Sequence, residues 1–160
     1  MMQGLQAMKD SAALLVYWDG EASDISWPEP CIVEYVTNGQ GGINSMSKEA
    51  VNAMIADQDM SVHDLISIGN IRKKYPPQTS TEKTVMQTVI GDMMSVYPSE
   101  SYGIIFGSHG SGWLPTITGT RSIGQDGGRY SSDTALIPEL AEVLRTVNPQ
   151  KFDLSCLMRV

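Results

Sequence analysis

Cysteine is scarce in this chain: two in 160 residues, Cys31 and Cys156. Histidine is equally rare, with only His63 and His109. Without a Cys-x-x-Cys pair the chain lacks the ligands of a structural zinc site. It is no disulfide-built scaffold either, although a single Cys31–Cys156 bridge stays open. Long apolar runs are missing, and none approaches the ~18–20 residues of a membrane span. Met1 to Asp10 holds Gln3, Gln6 and Lys9 and no apolar block, so no signal peptide is read there. Cations are outnumbered, 11 Lys and Arg against 18 Asp and Glu, giving a net charge of −7. Such a chain has no electrostatic footprint for a phosphate backbone, which argues against nucleic acid as a partner. Charged residues make up 18%, below the usual level of roughly a quarter, while 41% is hydrophobic. That composition predicts one folded domain, residues 1–160, rather than a disordered acidic tail.

The order of apolar runs and breakers predicts strands alternating with helices. Ala12–Trp18 is a short apolar run stopped by Asp19-Gly20, and Cys31–Thr37 is β-branched and aromatic and stopped by Asn38-Gly39. Both read as strands, and the glycine-rich 38–45 as a loop. Ser47 caps a helix to about Gln58, with Ala50, Val51, Met54 and Ile55 on one face. Segment 61–68 reads ambiguously. Tyr75-Pro76-Pro77 breaks regular structure, and Ser80 or Thr81 caps a longer helix to Val96, stopped by Pro98. Met54, Met86, Met93 and Met94 fall on these helical stripes, where they fill core. Tyr102–Phe106 is a buried strand running directly into a Ser108–Trp113 loop. Segment 122–133 is rich in glycine and serine and reads as a loop, Pro138 opens a helix to about Asn148, and Phe152 starts a last strand. Alternation of this kind predicts a mostly parallel sheet covered by helices, with ligands beyond the carboxyl ends of its strands.

The Ser108–Trp113 loop sits at such an end. Its glycines leave amide N–H groups able to face a ligand, and His109 has the intrinsic pKa for proton transfer near neutrality. The same residues also suit a plain strand-end turn with a solvent-facing histidine. Other chemistries fail on spacing. There is no G-x-x-x-x-G-K-[ST] phosphate loop, no G-x-S-x-G elbow around Ser108 or Ser111, and no alternating acidic ligands at Asp126 and Asp133 for an EF-hand. His63, beside Asp64, reads as a surface histidine, and Cys31 as a small apolar filler in its strand.

The string from Tyr102 to Trp113, Tyr-Gly-Ile-Ile-Phe-Gly-Ser-His-Gly-Ser-Gly-Trp, resembles the histidine motif of the clostripain family of cysteine peptidases. The stretches Tyr75–Ser80, Ser122–Asp126, Pro138–Leu144 and Lys151–Asp153 are similar to that family in order and spacing, so the resemblance covers roughly 14–153. It implies a caspase-like three-layer α/β sandwich around a mostly parallel sheet, here incomplete at both ends. It implies a cysteine endopeptidase that cuts peptide or protein substrates after Arg or Lys, secreted or attached to the cell envelope. No cofactor is implied, although some members bind calcium. His109 would act as general base and acid, the Gly110 N–H would help hold the oxyanion, and a cysteine at the end of the next strand would be the nucleophile.

The cysteine motif departs from the family. Lys151-Phe152-Asp153 begins as members do, but Leu154-Ser155-Cys156 follows where they continue Phe-Ile-Leu-Phe-Asp-Ala-Cys. Cys156 therefore comes four residues early, and the aspartate that helps recognise a basic P1 residue has no counterpart. With suitable synonymous codons, deleting one base after Lys-Phe-Asp converts the family peptide to Leu-Ser-Cys-Leu-Met-Arg-Val followed by a stop. The chain thus reads as a truncated, frameshifted member, with Cys156 a nominal nucleophile and the activity lost. From a different class, a non-catalytic interaction module would keep the fold and the loop without the chemistry. A strand missing ahead of Leu14 would leave an open sheet edge and drive self-association.

Overall fold

The computed structural model describes residues 6–7, 12–19, 29–57, 61–100, 102–108, 122–125, 134–147 and 152–159. They divide between two compact units, Met1–Pro77 and Gln78–Val160.

In the first unit, β1 (Ala13–Trp18), β2 (Cys31–Val36) and β3 (Asn70–Lys74) form a sheet in that order. Both pairings are antiparallel, with Ala13 opposite Val36 and Trp18 opposite Cys31 in the first. Two helices, α1 (Lys48–Ala56) and α2 (Val62–Ile68), lie between β2 and β3 in the chain. Cys31, Val33 and Tyr35 alternate along β2 and so point to one face. There they join Ile43, Val51 from α1 and Ile66 from α2 in a buried cluster flanked by Leu14, Val16 and Trp18.

Local chemistry explains the helix ends. The Ser47 side chain accepts from the Ala50 N–H, as the sequence suggested, and stabilises the α1 terminus. The ambiguous 61–68 segment becomes a helix through a full capping box. Ser61 Oγ accepts from the Asp64 N–H at 3.2 Å, and the Asp64 carboxylate accepts from the Ser61 N–H at 2.9 Å. The Ser61 hydroxyl, which donates to the Asp64 carboxylate at 2.6 Å, and then the Ser61 N–H hold that carboxyl below the ordinary 3.8 of an aspartate. A depressed folded-state value means stability present above the unfolded pKa and lost as pH falls through the folded one. The amides of α2 are therefore expected to lose hydrogen-exchange protection progressively as pH falls below about 3.8. Ser61→Ala should lose about 1 kcal/mol and abolish that pH dependence.

Gly69 ends α2 with an extended backbone (φ −90, ψ 170), so no left-handed conformation demands glycine there. Close approach does: a Cβ at Gly69 would run into Val33 and Tyr35 of β2. Gly69→Ala should cost about 1–3 kcal/mol by overpacking, read as a lower denaturation midpoint at unchanged m-value.

The second unit is built on β4 (Tyr102–Ser108) and β7 (Phe152–Arg159), which run parallel, and on the antiparallel pair β5 (Ser122–Gln125) and β6 (Thr134–Leu136). Helices α3 (Lys83–Val96) and α4 (Ile137–Val147) pack through Met86, Ile90, Leu140 and Val143, against which Ile104 and Phe106 of β4 are seated. A Lys83–Glu142 ion pair joins the two helices.

Three expectations are corrected. The mostly parallel sheet is not what the described strands form: the three-stranded sheet is antiparallel, and β4–β7 is the one parallel pair among them. No helix-length apolar pattern separates β1 from β2 in the sequence, and an antiparallel pair needs no crossover. Helix α3 begins at Lys83, and its N-cap is Glu82, which makes no side-chain cap. Part of the 122–133 loop, Ser122–Gln125, is strand β5. The 38–45 loop is as expected, with Gly39 and Gly41 at φ +74 and +84.

Candidate active site

The Ser108–Trp113 segment follows directly in sequence from the β4 strand. β4 spans Tyr102–Ser108, two residues further than its apolar run, and ends one residue before His109. Ile104 and Phe106 alternate toward α3 and α4, while Ile105 between them is 48% exposed. The helices therefore anchor one face of the strand that delivers the histidine motif. His109, Gly110 and the rest of the loop to Arg121 lie outside the described residues.

Cys156 falls within β7, and its main-chain position is fixed by the register. It stands opposite Ile105, while Ser108 stands opposite Arg159. Parallel partners keep step at ~3.3 Å per residue. Cys156 is thus three residues, about 10 Å, short of the end of the strand pair. Positions 109 and 160 follow that last pair in sequence. Cys156 therefore lies inside the strand rather than at its carboxyl end.

The other cysteine is no substitute. Cys31 is 2% exposed in the core of the first unit, and burial pushes its thiol pKa up, only partly opposed by Lys74. A thiol kept neutral and out of water is inert. Alkylation of Cys31 in the native chain should be about 10³-fold slower than in denaturant, measured by mass spectrometry of the labelled peptide. His63 is an exposed residue on α2, as expected of a surface histidine. Among the described residues, no group of three or more His, Cys, Asp or Glu could hold a metal ion, and no helix is long and apolar enough to cross a membrane.

The residue that sequence reasoning passed over is Asn44. It is the one non-glycine at positive φ (+52) among the described residues. Its Oδ1 accepts from the Val36 N–H at 2.9 Å and its Nδ2 donates to the Ile68 carbonyl at 2.9 Å. It ties the end of β2 to the end of α2. Asparagine before a serine in a glycine-rich stretch was the available signal, since asparagine tolerates the left-handed region.

A parallel strand pair on two helices, running into a glycine- and histidine-bearing segment, is an α/β arrangement that presents chemistry at strand ends. Comparison with known families makes this specific: residues 1–159 match the clostripain family, and the chain belongs to it. Membership points to cysteine-peptidase chemistry and implies a caspase-like fold. No curated protein and no solved structure gives a significant match.

Proposed function

We propose that this chain is a clostripain-type cysteine peptidase of Arg/Lys specificity in ancestry and carries the histidine half of the site without a working nucleophile. The observation that supports this is the β4–β7 register. Cys156 faces Ile105, four positions before His109, whereas a thiol exchanging a proton with an imidazole needs to come within ~3–4 Å of it. Four positions correspond to about 13 Å along a strand. The family cysteine falls four residues after Cys156, at position 160, which is valine here. The sequence departure and the interior position of Cys156 in β7 both support this reading.

In an intact site the thiolate would attack the carbonyl carbon of the scissile bond. His109 would take the thiol proton and return it to the leaving amine, and the Gly110 N–H would hold the oxyanion. On this reading His109 and Gly110 lack the nucleophile that such a site needs. We further propose that the two units belong to one peptidase domain, since the family match spans both.

An affinity reagent with a basic P1 group and a thiol-reactive warhead tests this. Cys156 should be labelled no faster than by the same warhead without the basic group. Selective labelling of Cys156 that disappears in His109→Ala would contradict the proposal.

A further inference from the structure

The loop after β2 holds the chain's one Asn-Gly pair, Asn38-Gly39, and both residues are exposed. The Asn38 Oδ1 accepts from the Gln40 N–H at 3.0 Å and from the Gly42 N–H at 3.1 Å. The first of these bonds closes a ring that contains both the Asn38 Cγ and the Gly39 nitrogen. Gly39 has φ +74, a conformation that suits glycine, and no Cβ stands beside its nitrogen. Its N–H donates to Thr37 Oγ1 at 3.3 Å, longer than an ordinary bond of this kind. Among the described residues the Asn38 Nδ2 donates no hydrogen bond.

Asn44, in the same loop, is the internal contrast. Its Oδ1 is held by the Val36 N–H and its Nδ2 by the Ile68 carbonyl, both at 2.9 Å in a partly buried junction. A carboxamide clamped at both ends cannot turn its carbon toward the next peptide nitrogen. That nitrogen belongs to Ser45, which also carries a Cβ.

We infer that Asn38-Gly39 is a self-modifying site, at which the native loop promotes deamidation through a cyclic imide. The Gly39 nitrogen attacks the Asn38 Cγ as its proton passes to hydroxide or a buffer base. The Gln40 and Gly42 N–H groups already face the oxygen on which negative charge develops, as oxyanion donors do. The Cγ–Nδ2 bond then breaks, and that nitrogen takes a proton from water and leaves as ammonia. Water opens the imide at either carbonyl. One opening leaves aspartate; the other leaves isoaspartate, whose main chain runs through Cγ and is one atom longer. In sum one water enters and one ammonia leaves, with nothing oxidised or reduced. Aspartate keeps an acceptor for the two loop N–H groups and strengthens both bonds by its charge. Isoaspartate lengthens the path from Thr37 to Gly39. It disturbs the bond from the Asn38 N–H to the Gly42 carbonyl and the Thr37–Ile43 bridge beside it. The inference is independent of the peptidase reading.

The test is ageing of the full chain at mildly alkaline pH, native and in guanidinium chloride. Mass spectrometry of the peptides carrying residues 38 and 44 reads the conversion, and electron-transfer fragmentation separates isoaspartate from aspartate. Asn38 should convert in the native chain at least as fast as in denaturant. Asn44 should convert about tenfold or more slowly in the native chain than in denaturant, because it must wait for local opening. Gln40→Pro withdraws one of the two N–H donors to Oδ1, and should slow conversion of Asn38 several-fold in the native chain but not in denaturant. In the isolated isoaspartate form the Ile43 amide should exchange faster than in the unmodified chain. A native rate at Asn38 below the denatured one would show that the loop shields the pair and would overturn the inference. So would a native rate unchanged in a Gln40→Pro chain that keeps its far-UV spectrum.

Discussion

Incubated with peptides bearing Arg or Lys at P1, this chain is expected to give no hydrolysis above the uncatalysed rate, and Cys156→Ala is expected to change nothing. The size of the expected deficit follows from the role of the nucleophile. Removing it from a covalent hydrolase costs about 10⁶-fold in kcat, because a base and an oxyanion donor have no covalent intermediate left to serve. Residual binding of substrate would not restore the rate, since uniform binding lowers KM without raising kcat. A chromogenic arginyl or lysyl amide, followed to less than one turnover per day, is sensitive enough to decide. Turnover that falls in both Cys156→Ala and His109→Ala would place the nucleophile at Cys156 after all.

The second large effect is expected far from the loop, at Asn44. Truncation to alanine removes the acceptor for the Val36 N–H and the donor for the Ile68 carbonyl, both in a partly buried junction. Each orphaned group costs about 1–3 kcal/mol, and alanine resists the left-handed conformation as well. Asn44→Ala should therefore lose roughly 3–5 kcal/mol, a Tm drop of about 10 °C or more for a chain of this size. Asn44→Gly separates the two causes. Glycine adopts φ +52 without strain but restores neither hydrogen bond, so it should recover only about 1 kcal/mol. If glycine recovered nearly all the stability, backbone strain rather than hydrogen bonding would be the main term.

Much of this structure was legible in the sequence because local signals and packing agree. β1, β2 and β4 are short apolar runs bounded by Asp-Gly, Asn-Gly or the histidine loop, and each is a strand. The stripe Met86, Val89 and Ile90 is buried on α3. Other elements gave no such signal. β3 reads Asn-Ile-Arg-Lys-Lys, with one apolar residue and three cations, and it is a strand only because β2 offers it a ladder. Helix α2 is held by a Ser61–Asp64 box that is easily taken for a polar turn. Strand direction was the clearest failure. Periodicity reports which face a strand buries, not which way its neighbour runs, and the sheet proved antiparallel where parallel was expected. Of the candidate site, His109 and Gly110 lie outside the described residues, and Cys156 is fixed in register only. The family itself was legible from the Tyr102–Trp113 string, and the match over 1–159 shows it.

On the proposed reading Cys156 and His109 do not work on each other, and thiol reactivity at pH 6 reads that coupling directly. A thiolate paired with an imidazolium reacts readily at this pH, while an unpaired thiol is nearly all protonated and slow. Alkylation of Cys156 by iodoacetamide at pH 6, followed by peptide mass spectrometry, should proceed at the same rate in the wild-type chain and in His109→Ala, within about twofold. A rate that falls tenfold or more on His109→Ala would show the two residues to be coupled and would contradict the account.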